Sequence, residues 1–202
     1  NIKKVIIKGI VNMNILVVQG HPDPESFTRN NAMHYYRYAK SKGHTVNLLD
    51  LSKNNFDPVL RYGYRKHMKD EDYIKNVQRL IKESDHISFF FPIWWAAEPS
   101  ILKGLVDRTL TPHFSYIYMK NGAHKQLLNG KTADIFSSSH GPQIFYKIYG
   151  NVFSRWKHLI LGYCGIKLKH CYDLGKMDSR IDSLKRRNSY INKCSHTLDN
   201  IR

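Results

Sequence analysis

Ile87-Ser88-Phe89-Phe90-Phe91-Pro92-Ile93-Trp94-Trp95-Ala96-Ala97-Glu98-Pro99-Ser100-Ile101-Leu102-Lys103-Gly104 is the stretch that decides the fold. The apolar run from Ile87 to Phe91 reads as a buried strand. It stops at Pro92, which has no N–H to give to a parallel ladder. Pro99 suits the first turn of a helix, where that N–H is not needed, and Ile101, Leu102, Leu105 and Val106 then recur at helical spacing. Between the two prolines lies a short loop bearing two tryptophans. Open α/β sheets bind ligands beyond the carboxyl ends of their strands, so this loop is a candidate site. Tryptophan more often packs under a loop than holds a ligand, but the position and the paired prolines favour a flat, conjugated ring.

A second loop adds to the first. Met13 to Gln19 reads as a short buried strand, and Gly20-His21-Pro22-Asp23-Pro24-Glu25-Ser26-Phe27 then turns the chain into a helix. Glycine permits a tight turn, the prolines hold the loop open, and Ser26 is placed to cap the helix. The free N–H groups and positive dipole end of such a helix attract an anion. Each loop alone is weak evidence, since caps serve helices without ligands and loop histidines commonly pack. Together they put a phosphate at the first strand and a ring at the third. That is the arrangement expected of a flavin nucleotide on a flavodoxin-like sheet.

The rest of the chain alternates strand-like and helix-like segments, which argues for an α/β fold with a parallel sheet. Strands are expected near Ile15–Gln19, Thr45–Asp50, Ile87–Phe91, Thr132–Ser138 and Lys167–Leu174. Helices are expected over roughly Ser26–Lys42, Tyr73–Glu83, Ser100–Leu110, Phe145–Tyr163 and Arg180–Ser195. At 202 residues the chain is most simply one domain. Residues 1–12 read as an upstream extension and 13–202 as the domain. The apolar Val5–Val11 stretch is broken by Lys8 and too short to span a bilayer, and it carries no convincing cleavage site.

The net charge of +16 would suit a polyanion, but the basic residues are scattered and no nucleic-acid motif accompanies them. A solvated lysine-rich surface is the better reading, with no nucleic-acid partner and no membrane insertion expected. Cys164, Cys171 and Cys194 are odd in number and form no Cys-x-x-Cys pair, so neither a disulfide framework nor a zinc site is suggested. A reducing, cytoplasmic location is expected.

From Met13 to about Arg180 the chain resembles the flavodoxin-like NAD(P)H:quinone oxidoreductases, the family of DT-diaphorase and many bacterial NADPH dehydrogenases. The residues carrying the resemblance are Gly20-His21-Pro22 with Ser26-Phe27, then Phe91-Pro92-Ile93-Trp94-Trp95, then Pro99 to Gly104 with Asp107-Arg108. Thr111-Pro112 with Phe114-Ser115-Tyr116, Leu128 with Gly130-Lys131, and Cys164-Gly165-Ile166 follow. The resemblance implies a five-stranded parallel sheet of order 2-1-3-4-5 and a homodimer. It also implies a quinone-like acceptor, NADPH or NADH as donor, and two half-reactions sharing one pocket.

The same resemblance implies roles for single residues. His21, Ser26, Phe27 and Thr28 would hold the phosphate side, and Pro92, Ile93, Trp94, Trp95 and Ala96 would support the ring. Ser138, Ser139, His140 and Gly141 would meet the other ring edge, with the serines offering hydroxyl donors and His140 standing where the family has glycine. Tyr146 would stabilise charge on the reduced ring. Its companion histidine would fall near Val152, so the relay is incomplete unless His140 substitutes. Tyr116 and Tyr118 match the substrate pocket. Arg180 and Asp107 match an adenosine-side pair that spans two subunits, which favours FAD over FMN. The alternatives are a flavin-binding ancillary subunit of a potassium efflux system and an electron carrier.

Overall fold

The computed structural model describes residues 12–53, 56–69, 71–148 and 151–201. The Val5–Val11 stretch lies outside them. Along the chain run β1 (Asn14–Gln19), α1 (Phe27–Ser41), β2 (Thr45–Asp50), α2 (Glu71–Glu83), β3 (His86–Pro92) and α3 (Ser100–Thr109). A two-stranded hairpin, β4 (Tyr116–Tyr118) and β5 (His124–Gln126), precedes β6 (Thr132–Ser138) and α4 (Gln143–Ile148). Next come α5 (Val152–Ser154), a π-helical segment Arg155–Leu161, α6 (Gly162–Cys164), β7 (Lys167–Leu174), α7 (Leu184–Ser195) and a 3-10 turn His196–Asn200. The main sheet is parallel with order β2-β1-β3-β6-β7. Counting only its own strands, that is 2-1-3-4-5, the expected flavodoxin-like order.

Side-chain alternation in β1 divides the core between the two faces of the sheet. Ile15 and Val17 join Tyr35 and Ala39 of α1 with Tyr190 and Cys194 of α7. Leu16 and Val18 join Val77 and Ile81 of α2, Leu102 and Leu105 of α3, and Trp156. Phe89 and Phe91 stack against Trp156 at 4.9 and 5.2 Å, while Phe90 turns to the opposite face against Tyr35 at 5.3 Å. Each such fully buried side chain contributes roughly 1.5–3 kcal/mol of transfer free energy.

One expected helix is corrected. Phe145–Tyr163 is not continuous: α4 ends at Ile148, and a new helical segment begins after Asn151, whose side chain accepts a hydrogen bond from the Ser154 N–H at 3.1 Å. The last helix begins at Leu184 rather than Arg180, because Ser183 caps it by accepting from the Arg186 N–H. The β4–β5 hairpin has no counterpart among the expected strands. Among the described residues no helix is long and apolar enough to cross a membrane, and no group of three or more His, Cys, Asp or Glu could hold a metal ion.

A polar cluster lies inside the sheet. Asp134 of β6 is fully buried and accepts hydrogen bonds from the His170 N–H at 3.0 Å and the Thr197 hydroxyl at 3.1 Å. Burial alone would raise its pKa, but His86 and His170 outweigh it and hold the carboxyl below its ordinary value.

Candidate functional site

Strand order reverses between β1 and β3, and a doubly wound sheet opens a crevice at such a point. The loops after β1, β3 and β6 meet there around a cleft of about 270 Å³.

The first loop is built around Gln19 and Gly20. The Gln19 amide donates to Asp50 Oδ1 at 2.9 Å and to the His21 carbonyl at 3.0 Å. Gly20 allows a close approach: a Cβ there would stand 2.7 Å from Leu102 Cδ2 and 3.2 Å from the Phe90 carbonyl oxygen as α3 crosses the strand end. The His21 ring meets Trp94 edge-on at 5.1 Å, and its Nδ1 accepts from the Asp23 N–H at 2.9 Å. Partial burial lowers the His21 pKa, in keeping with a ring nitrogen that must stay unprotonated to accept that bond. Ser26 caps α1 by accepting from the Arg29 N–H at 3.2 Å, and no acidic side chain lies in the first turn. Phe27 and Thr28 at this helix start line the cleft.

The second loop is a tight turn. The Trp94 N–H donates to the Ala97 carbonyl at 2.8 Å, and the Ala97 N–H to the Trp94 carbonyl at 2.9 Å. Trp95 and Ala96 between them adopt φ of 48° and 56°, a left-handed geometry that usually calls for glycine or asparagine. This backbone separates the two tryptophans. Trp94 lines the cleft, whereas the Trp95 indole points fully into solvent. Pro92 and Ile93 line the cleft too, and the Ile93 N–H is fixed to the Ser138 carbonyl at 2.8 Å.

The third loop follows β6. Ser138, Ser139 and His140 line the cleft. The Ser139 hydroxyl, however, donates to Asp173 Oδ2 at 2.7 Å, and Ser137 donates to Asp173 Oδ1 at 2.8 Å. The Ser139 hydroxyl thus points its proton to the interior, with the Gly141 carbonyl at 3.3 Å as its other acceptor. Burial raises the Asp173 pKa against the pull of those two serines. His140 is exposed on the rim, 3.8 Å from Asp178 Oδ2. The Tyr146 hydroxyl packs on Gly141, where an added Cβ would come within 2.9 Å of it.

Other expected residues lie elsewhere. Tyr116 and Tyr118 belong to a separate pocket of about 380 Å³, with Tyr64, Lys103, Asp107, Arg155 and Tyr163. Burial raises the Tyr116 pKa well above its ordinary value. Arg180 is exposed and outside the cleft lining, and Asp107 pairs with Lys103 at 2.6 Å. Sequence reasoning missed Met177, Asp178 and Arg187 in the cleft wall. Arg187 lies over the Phe27 ring at 5.7 Å, held by Asp178 and Asp182. Its only sequence signal was the Lys185-Arg186-Arg187 cluster.

The donor set fits a flavin nucleotide. A capped helix start free of first-turn acids suits a phosphate, and Trp94 with the Ile93–Ser138 link offers a flat wall for a ring. A bound flavin would supply the two-electron redox centre, and the protein would supply its binding and orientation.

A flavodoxin-like fold family matches residues 13–196, and the chain belongs to that family. Its relatives are NAD(P)H oxidoreductases and quinone reductases. An uncharacterized NAD(P)H oxidoreductase of Haemophilus influenzae is 32% identical over 162 residues, covering 77% of this chain and 80% of the relative. Human ribosyldihydronicotinamide dehydrogenase [quinone] is 28% identical over 180 residues, covering 76% and 78%. The crystal structure of Smu.1420 from Streptococcus mutans superposes with a TM-score of 0.75 at 31% identity, over 94% of this chain and 100% of that one. An NAD(P)H:quinone oxidoreductase from Methanothermobacter marburgensis shares the fold, with a TM-score of 0.80 at 21% identity over 95% and 100% of the two chains.

Proposed function

We propose that this chain is a flavin-dependent NAD(P)H:quinone oxidoreductase that passes two electrons from NADPH or NADH to a quinone by a substituted-enzyme route. One observation carries the reading: a capped helix start, the Trp94 turn and the Ser138–His140 loop converge on a single cleft at the strand-order reversal. The relatives named above support the class of reaction. In this reading Ser26, Thr28 and the α1 N-terminus bind phosphate. His21, Trp94 and the Pro92–Ile93 backbone orient the ring, and Tyr146 with His140 holds charge or a proton at its far edge. Orientation of donor against ring is the protein's main contribution to hydride transfer.

The homodimer and FAD readings belong together. Tyr116 and Tyr118 stand in a pocket apart from the cleft, so their proposed place in the substrate wall needs a second copy. The exposed Tyr64, Tyr118 and Leu159 supply an apolar face there. In this reading Asp107, on the same pocket, would meet the Arg180 of a second copy. FAD bound to a monomeric protein would contradict this pairing. No observation favours the ancillary-subunit alternative.

Anaerobic mixing with NADPH or NADH tests the function. The visible flavin band should bleach and return on addition of benzoquinone, and steady-state plots should give parallel lines. A flavin that stays oxidised with both donors, or intersecting plots, would overturn the proposal.

A further inference from the structure

One carboxylate binds the tryptophan turn to the protein interior. Glu98 directly follows the turn, and its side chain has no exposure. Arg155 donates Nη1–H to Glu98 Oε1 at 3.2 Å and also bonds Oε2 through Nη2. The Trp156 indole N–H donates to the same Oε2 at 3.1 Å. Trp156 is itself fully buried against Phe89 and Phe91 of β3. A charge this deep loses its hydration, and well-packed apolar side chains in place of the whole ion pair would serve stability as well or better. What the carboxylate adds is direction.

The turn needs that direction. Trp95 and Ala96 are left-handed without glycine, and the exposed Trp95 indole makes no packing that would hold them there. The Ile93–Ser138 hydrogen bond fixes the front of the turn, and Glu98 fixes the back. Arg155 also opens the π-helical segment and lines the pocket of Tyr116 and Tyr118. The pair thus joins the tryptophan edge of the cleft to the tyrosine pocket.

We propose that Glu98 is a positioning residue: through Arg155 and Trp156 it sets the Trp94–Ala97 turn in the geometry that receives the flavin ring. This inference rests on the flavin reading of the cleft. Three full-length variants test it: E98Q, E98L and R155K. E98L keeps much of the buried volume and leaves Arg155, which is partly exposed, able to reach water, but it strands the buried Trp156 indole N–H without its acceptor. Its flavin-free stability should therefore fall below that of the parent, as when one partner of a buried pair is removed. Its flavin dissociation constant should rise about 10- to 100-fold, the equivalent of a lost charge-assisted hydrogen bond. E98Q should weaken binding less and shift the visible flavin bands, and R155K should fall between them.

Flavin affinity and spectra equal to those of the parent in E98Q and E98L would overturn the proposal and leave the pair purely structural. Failure of all three variants to fold would overturn it as well. If the parent takes up neither FMN nor FAD, the flavin reading fails on its own. The amide resonances of flavin-free E98Q would then decide the point. Shifts at Trp94 and Ala97 support the positioning role; shifts confined to Arg155 and Trp156 refute it.

Discussion

Replacing Ala96 with glycine should stabilise the flavin-free protein, although glycine is ordinarily a destabilising substitution. Ala96 has φ of 56°, where a Cβ costs roughly 1–2 kcal/mol relative to the right-handed region. Glycine removes that cost but adds about 0.4–1 kcal/mol of chain entropy to the unfolded state. The difference is a net gain of about 0.8 kcal/mol (about 0–1.6 across those ranges), or a rise in Tm of about 2–3 °C for a chain of this size. Ala97 is the internal control. It lies one residue on, in the same loop, with no positive φ, so A97G should lose about 0.4–1 kcal/mol through the same entropy. Urea unfolding of both variants, with the slope checked for constancy, measures the two changes. Opposite signs support the turn as described. If A96G is destabilised as much as A97G, the left-handed turn is wrong, and with it the separation of Trp94 from Trp95.

Three further outcomes follow from named contacts. S26A removes the cap accepting from Arg29 and should cost about 1 kcal/mol of stability, while weakening FMN binding measured by fluorescence titration. G104A should destabilise by about 1–3 kcal/mol despite alanine's helix propensity, because its Cβ would meet the Pro58 carbonyl oxygen and force α3 off that loop; thermal unfolding checks this. His44 should make stability pH-dependent. Burial, then the charge of His86, lowers its pKa, and its Nδ1 accepts from the Met13 N–H at 3.3 Å. Its folded pKa lies below the unfolded value of about 6.5, so the stabilisation is present above that value and lost as pH falls through the folded one. His21 and His34 act in the same direction. H44Q should flatten the fall in Tm between about pH 7 and 5, and an unchanged slope would refute the assignment.

The centre of the sheet was legible because its strands are buried on both faces and read as short apolar runs closed by glycine or proline. Ile87–Phe91 and Ile15–Gln19 show this most clearly. The break after α4 was not legible: Phe145 to Tyr163 keeps a helical rhythm, and the restart depends on a side-chain cap from Asn151. The β4–β5 hairpin escaped notice because Tyr116–Tyr118 is too short to show alternation.

In the site, Gly20, Ser26 and Pro92 betrayed the loops through their backbone chemistry. The divergence of Trp94 and Trp95 did not show, because it rests on positive φ at residues that rarely adopt it. Asp173 and Glu98 were missed because their partners, Ser139 and Arg155, are brought to them by tertiary packing. A charged residue wedged between Ala97 and Pro99, in an otherwise apolar loop, was the one available signal.

Titration of flavin-free protein with FMN and with FAD tests the central claim most directly, with parent and S26A measured side by side. Saturable quenching of flavin fluorescence at micromolar or lower concentration, weakened in S26A, is the expected result. Protein that leaves both flavins bright and unshifted at saturating concentration would contradict it.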